Sequence, residues 1–346
     1  MVCNGWRPES IMPIYRSLMG VARGSAAPGA LSGTTTIATG STPYGICISA
    51  NGTSVYATNS ISNTVSIFTR NTTSGALSGT TTIASGSSPY NVCISADGKN
   101  VYAANAGGAT VSIFTRNTTT GALSGTSTIA APGPRNVCIS ADGKNVYATN
   151  WFNAKVSIFT RNTTSGALSG TTTIATGANP YGVCISADGK NVYATNFVSS
   201  TVSIFTRNTT SGALSGGTTI ATGANPYGVC ISADGKNVYA ANNSGNTVSI
   251  FTRNTATGAL SGTTTIAAGS SPRSICISAD GASVYATNTT SSTVSIFTRN
   301  TTSGALSGGT SIATGSSPYG ICISADGTSV YAANQSSNTV SIFTRS

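Results

Sequence analysis

Apolar residues fall in short runs of β-branched and aromatic side chains, and each run is cut off by Asn, Asp or Gly. Residues 43 to 86 show the pattern. Gly45 to Ser49 is a short apolar run, and Ala50-Asn51-Gly52 turns the chain. Val55 to Thr58 is a second run, and Thr64 to Thr69 a third. A Gly- and Thr-rich turn covers Asn71 to Gly79, and Thr80 to Ala84 is a fourth run. Short β-branched runs split by such turns predict strands joined as hairpins.

The same unit recurs along the chain. Ile-Phe-Thr-Arg ends at Arg70, Arg116, Arg161, Arg207, Arg253, Arg299 and Arg345, and a proline stands at 43, 89, 134, 180, 226, 272 and 318. The spacing is 46 residues, with one interval of 45 before Pro134. Four strands in a unit of about 40 to 50 residues mark a propeller blade. The chain opens on a fourth-strand segment, Thr34 to Ala38, and ends on a third strand, Val340 to Phe343. Paired, the two ends complete one blade and remove two exposed edges. The predicted fold is therefore all-β: a seven-bladed β-propeller of four-stranded antiparallel blades. Its ring is closed by the N-terminal strand pairing with the C-terminal three strands. Residues 1–27 form an extension, and 28–346 the propeller.

In a four-stranded meander the turns alternate between two faces. The Ala-Asp-Gly and Arg-Asn-Thr-Thr turns share the bottom face. The turns between second and third strands lie on top with the links between blades. The residue after each repeat proline belongs at the top mouth of the central channel: Tyr44, Tyr90, Arg135, Tyr181, Tyr227, Arg273 and Tyr319. The top turns vary between copies where the bottom turns hardly do. Trp151, Phe152 and Phe197 fall there in neighbouring blades, with Lys155 and Arg135 nearby. Two readings stay open: a contact patch for a ligand or protein, or aromatics folded against their own blades.

The chain has a formal net charge of +10 and no histidine. An anionic partner would suit that balance, but the basic residues are scattered and no nucleic-acid motif accompanies them, so they read as surface solubilisers. No apolar stretch reaches membrane-spanning length. The first residues lack a continuous apolar signal segment. One cysteine per unit, from Cys47 to Cys322, occupies an equivalent inner-strand position and reads as a small packed residue. Seven equivalent ring positions cannot all pair as disulfides, and neither they nor the turn aspartates converge on a metal. Unpaired thiols suit a reducing compartment and the Ser/Thr/Asn-rich surface an oxidising one, which leaves localisation open. Asn-X-Ser/Thr triplets recur with the repeat, starting at Asn71.

Ser317 to Asn334, followed by Asn338 to Phe343, resembles two related families: the YVTN-type surface-layer propeller repeat and the seven-bladed lactonases, which include 6-phosphogluconolactonase-like proteins. The resemblance covers all seven blades. It implies work at the channel mouth by arginines with a histidine and a carboxylate, on an inner strand that often begins Pro-Arg-His. Pro134-Arg135-Asn136 and Pro272-Arg273-Ser274 keep the arginine and lose the histidine. A guanidinium still pairs well with carboxylate or phosphate, although blades three and six would hold theirs on well-separated sides.

General acid–base chemistry needs a group that titrates near neutral pH. The six aspartates are all Ala-Asp-Gly turn residues on the bottom face, and the one glutamate, Glu9, lies outside the blades. The resulting expectation is a monomeric, non-catalytic binding or scaffold propeller with no cofactor. It would take a protein, a glycan or a small anionic ligand on its top face, with no catalytic residue assigned. The alternative is a lactonase-like hydrolase acting on an anionic sugar lactone near Arg135 and Arg273.

Overall fold

A computed structural model describes residues 29–346; the extension at 1–27 lies outside the described residues. Seven four-stranded antiparallel sheets follow one another around a ring. Blades one to seven begin at Pro43, Pro89, Pro134, Pro180, Pro226, Pro272 and Pro318. The seventh is completed by Leu31–Ala38, which pairs antiparallel with Thr339–Arg345 from Leu31↔Arg345 to Ala38↔Thr339. Backbone bonds from Gly29 to Ser346 (2.8 Å) and from Ser346 to Ala30 (3.0 Å) extend this closure.

The outer strands start earlier than the hydrophobic pattern predicts. In blade one the outer strand is Leu77–Ala84, so Leu77 to Gly79 belong to the strand rather than the turn. The reason is a β-bulge between Ile67 and Thr69 of the partner strand, opposite Gly79 at φ 61. Glycine reaches that left-handed conformation without a Cβ clash, so a glycine-rich segment continues the sheet with a kink.

Cores form between blades rather than within them. Tyr56 and Val65 of blade one pack on Val92, Val101, Ala103, Phe114 and Leu123 of blade two, and each junction repeats the arrangement. A sheet must bury a face against another element, and here each buries one against the next blade. The outer strands, by contrast, are exposed along most of their length.

A buried polar clamp holds each junction at its bottom end. The second-strand tyrosine is fully buried. Its hydroxyl needs partners there, because an unpaired buried hydroxyl is costly. The Ile-Phe-Thr-Arg arginine of the next blade supplies one: Arg116 Nε donates to the Tyr56 hydroxyl at 2.6 Å. That hydroxyl in turn donates to Gly121 O of the next blade at 2.7 Å. The same pair of bonds joins Arg207 to Tyr147 and Tyr147 to Gly212. At the closing junction, Arg345 donates to Tyr285, which donates to Gly29 of the N-terminal segment.

The repeat arginines are therefore not surface solubilisers. Six of them also ion-pair with an Ala-Asp-Gly aspartate of the preceding blade, as Arg207 does with Asp142 at 2.8 Å. Burial alone would raise the Asp142 carboxyl. Bonds from the Ser140 hydroxyl, from Arg207 and from the Lys144 backbone N–H outweigh it and hold the carboxyl below its ordinary 3.8. A depressed folded value contributes stability that is complete above the unfolded value and is lost as pH falls through the folded one.

One junction lacks the carboxylate. Blade one carries Asn51 where the others carry aspartate, and Arg116 is clamped only by Tyr56, Ser54 and Gly98. The substitution Asn51→Asp should add an ion pair worth about 0.5 kcal/mol, the modest value of a partly solvated pair. Denaturant unfolding should show this gain at pH 7. It should fade as pH drops below about 4, where carboxylates protonate, and it should be absent on an Arg116→Gln background. A gain that survives both changes would contradict the ion-pair account.

Candidate functional site

Each blade's inner strand begins at its proline, so the following residue projects at the same level of the mouth in every blade. The strands crowd there: a Cβ on Gly45 would lie 2.6 Å from Asn91 Cα of the next blade. The seven mouth side chains meet in a nearly closed cycle. Tyr44 lies 4.4 Å from both Tyr90 and Tyr319, centroid to centroid. Arg135 stacks on Tyr90 at 4.3 Å, and Arg273 sits between Tyr227 and Tyr319 at 4.1 and 4.2 Å. Tyr181 meets Tyr227 at 4.3 Å.

Trp151 fills the remaining gap. It lies 5.3 Å from the Arg135 guanidinium and 5.9 Å from Tyr181. The link into blade three is one residue shorter than the others. Trp151 N–H bonds to Gly133 O of that link at 3.1 Å. Phe197 lies between Trp151 (5.5 Å) and Tyr227 (4.8 Å). These two aromatics therefore lean over the mouth toward the following blade rather than folding on their own. Phe152, 71% exposed, stands 5.9 Å from Arg135. Lys155 is exposed at the edge of the group and makes no ion pair among the described residues.

Arg135 and Arg273 stand on separate sides of the rim, with Tyr181 and Tyr227 between them one way and Tyr319, Tyr44 and Tyr90 the other, and both line one small cavity with Tyr44, Tyr90, Tyr181 and Tyr319. Its volume is about 40 Å³, room for water and little else. Both arginines have a buried Nε without a hydrogen-bond partner. A buried charged donor left open in this way is costly unless something fills it. Among the described residues neither arginine has a carboxylate partner, and every aspartate is engaged at the bottom face.

A further difference separates the arginines from most of the tyrosines. A threonine of the preceding blade bonds the backbone carbonyl of Tyr90, Tyr181, Tyr227 and Tyr319. The position is Ala104 before Arg135 and Ala241 before Arg273, so these two lack the latch; Ala333 precedes Tyr44. This signal was present in the repeats, as Asn-Val-Tyr-Ala-Ala against Asn-Val-Tyr-Ala-Thr, but its meaning needs the cross-blade contact.

The hydroxyls of Tyr44 and Tyr181 are held protonated. Burial pushes Tyr44 and Tyr181 far above the ordinary phenol value, and Arg273 opposes this only in part at Tyr181. The seven inner-strand thiols are likewise pushed up by burial, to about 12 for Cys47, Cys184 and Cys276. Neither group supplies a base at neutral pH. Among the described residues no cluster of His, Cys, Asp or Glu is arranged to hold a metal.

The family described as lactonase, 7-bladed beta-propeller, matches the chain over residues 20–140, 135–231 and 217–311. Among solved structures, the chain is similar to a putative 6-phosphogluconolactonase from Bacteroides fragilis (25% identity, 80% of this chain and 86% of that one, TM-score 0.73). It also shares its fold with a periplasmic gluconolactonase from Pseudomonas aeruginosa (20% identity, 80% and 86%, TM-score 0.70). The hydrazine synthase of Kuenenia stuttgartiensis has the same fold (20% identity, 94% and 99%, TM-score 0.71). No curated protein matches. These findings overturn the expectation of a non-catalytic scaffold. The missing histidine that motivated it removes one catalytic group but leaves the family's arginine positions in place, and the hydrolase alternative is the better supported.

An anion that enters the mouth must draw Arg135 off the Trp151 indole. Titration with inorganic phosphate should therefore give a saturable change in tryptophan fluorescence that disappears in Arg135→Ala. An unresponsive wild-type signal at millimolar phosphate would rule out an accessible anion site beside Trp151.

Proposed function

This chain belongs to the lactonase family of seven-bladed β-propellers, and from that premise we propose that it hydrolyses an anionic sugar lactone at the top mouth. The observation that carries the reading is a pair of guanidiniums on one cavity, each with a buried Nε left open and no carboxylate to neutralise it. Guanidinium forks suit carboxylate and phosphate oxygens. Arg135 and Arg273 would hold the substrate's anionic group and stabilise the negative charge that develops on the carbonyl oxygen as it is attacked.

The reaction is a hydrolysis. Water or hydroxide adds to the lactone carbonyl carbon, and the ring C–O bond breaks. The ring oxygen leaves as a hydroxyl after taking a proton, and the product is a hydroxy acid carboxylate. The protonated hydroxyls of Tyr44 and Tyr181 are donors at the same cavity. Held protonated, Tyr44 and Tyr181 do not serve as the base, and the nucleophile comes from solvent. Binding also requires room: a cavity of about 40 Å³ is well below the roughly 300 Å³ of a typical ligand site. The arginines would swing out of their aromatic stacks, at a cost of about 0.5–2 kcal/mol for each cation–π contact.

Hydrolysis of 6-phosphogluconolactone, corrected for the spontaneous reaction, tests the reading. Arg273→Ala should lower kcat/KM about tenfold or more, a loss of about 1.4 kcal/mol of transition-state stabilisation, and the Arg135→Ala/Arg273→Ala double variant should fall to background. The rate should climb steadily with hydroxide between about pH 6 and 8.5, without the bell that a tuned acid–base pair produces. Full activity in the double variant would defeat the proposal, and an inflection near neutral pH would defeat the solvent-nucleophile mechanism.

A further inference from the structure

The bottom face carries a second set of unpaired cations. Lys99, Lys144, Lys190 and Lys236 occupy the same position, after Ala-Asp-Gly, in blades two, three, four and five; blades one, six and seven have Thr53, Ala282 and Thr328 there. All four lysines are exposed. The aspartate beside each accepts its backbone N–H. The carboxylates of these aspartates are committed to buried arginines of the next blade. Among the described residues no acid pairs with these ammonium groups, which lie on an arc of four consecutive blades.

Three of these lysines open onto equivalent clefts between neighbouring blades. The cleft at Lys190 has a volume of about 380 Å³ and runs past Asn208, Thr209 and Thr210 to Thr257 of blade five. Those at Lys236 and Lys99 measure about 410 and 430 Å³ and have the same Thr, Asn and Ser walls. All three are open and within the size range of ligand sites, unlike the mouth.

We propose that this row of clefts binds a linear acidic polysaccharide. Each cleft offers one cation for an acidic group and several hydroxyl and amide side chains for sugar hydroxyls. The lysines recur on four consecutive blades, with clefts at those of blades two, four and five; this repetition matches a ligand whose charge repeats, and weak sites in series gain affinity by linkage. Nucleic acid fits less well, because the clefts contain no aromatic ring on which a base could stack. A membrane surface also fits less well: among the described residues the exposed large hydrophobics, Ile61, Phe152 and Val198, all lie in top-face turns, and none of them is on the bottom face to insert. The inference does not depend on the lactonase reading, since the two sites lie on opposite faces.

The test uses the full-length chain with polygalacturonate, neutral dextran and vesicles containing anionic lipid. The neutral residues of the other blades supply substitutions the turn tolerates, so the key variant is Lys99→Thr/Lys144→Thr/Lys190→Thr/Lys236→Thr. Wild type should bind polygalacturonate with a salt-sensitive affinity and should not bind dextran. The quadruple variant should bind at least tenfold more weakly, with its thermal unfolding unchanged and intermediate losses in single variants. Equal binding by the quadruple variant, no binding to polygalacturonate by wild type, or preference for the vesicles would each overturn the proposal.

Discussion

The guanidinium–phenol clamp between blades is the interaction on which the rest of this molecule depends. A seven-membered ring of sheets has seven interfaces, and a sheet packed only through apolar faces slides easily. Each interface here is pinned by an arginine that reaches into the preceding blade, meets a buried tyrosine hydroxyl and is answered by that hydroxyl's bond to a glycine carbonyl. Charge-assisted bonds in a buried setting are both strong and directional. The last clamp needs Gly29, so the ring is complete only when the N-terminal segment is in place.

That clamp also decides where charge is left over. A chain with very few acids spends every described aspartate on its own arginines at the bottom face. Among the described residues, the cations left without a carboxylate are Arg135 and Arg273 at the mouth, Lys155 on the top face, Arg116 in its junction and four lysines on the bottom arc. The repeat thus separates structure from recognition. The arginine, tyrosine and glycine of the clamp recur in every blade, and the residues proposed for recognition are ones that differ between copies. Blade three differs most, since its shortened link and Trp151 turn a seven-fold rim into an asymmetric one.

Much of the architecture was legible in the repeat. Blade number, strand order, ring closure and the identity of the mouth residues follow from the period and from the split unit at the two ends. The clamp was not legible. Arg207 sits beside a polar turn in sequence and looks like a surface residue, while Tyr147 looks like ordinary core. Their meeting depends on the lateral packing of separate blades, which no local pattern records. The narrowness of the mouth depends on the same packing: Arg135 and Arg273 stand on separate sides of the rim, as expected, yet line one small cavity. Reading the absent histidine as absent catalysis gave too much weight to one group, since electrostatic stabilisation needs no titratable base.

The most direct measurement is a crystal structure of the protein with 6-phosphogluconate, the hydroxy acid that lactone opening would yield. The account predicts the acid's anionic oxygens between Arg135 and Arg273, both guanidiniums turned away from Tyr90, Tyr227 and Tyr319, and an enlarged mouth. An intact aromatic–arginine cycle with the compound absent at saturating concentration would contradict it.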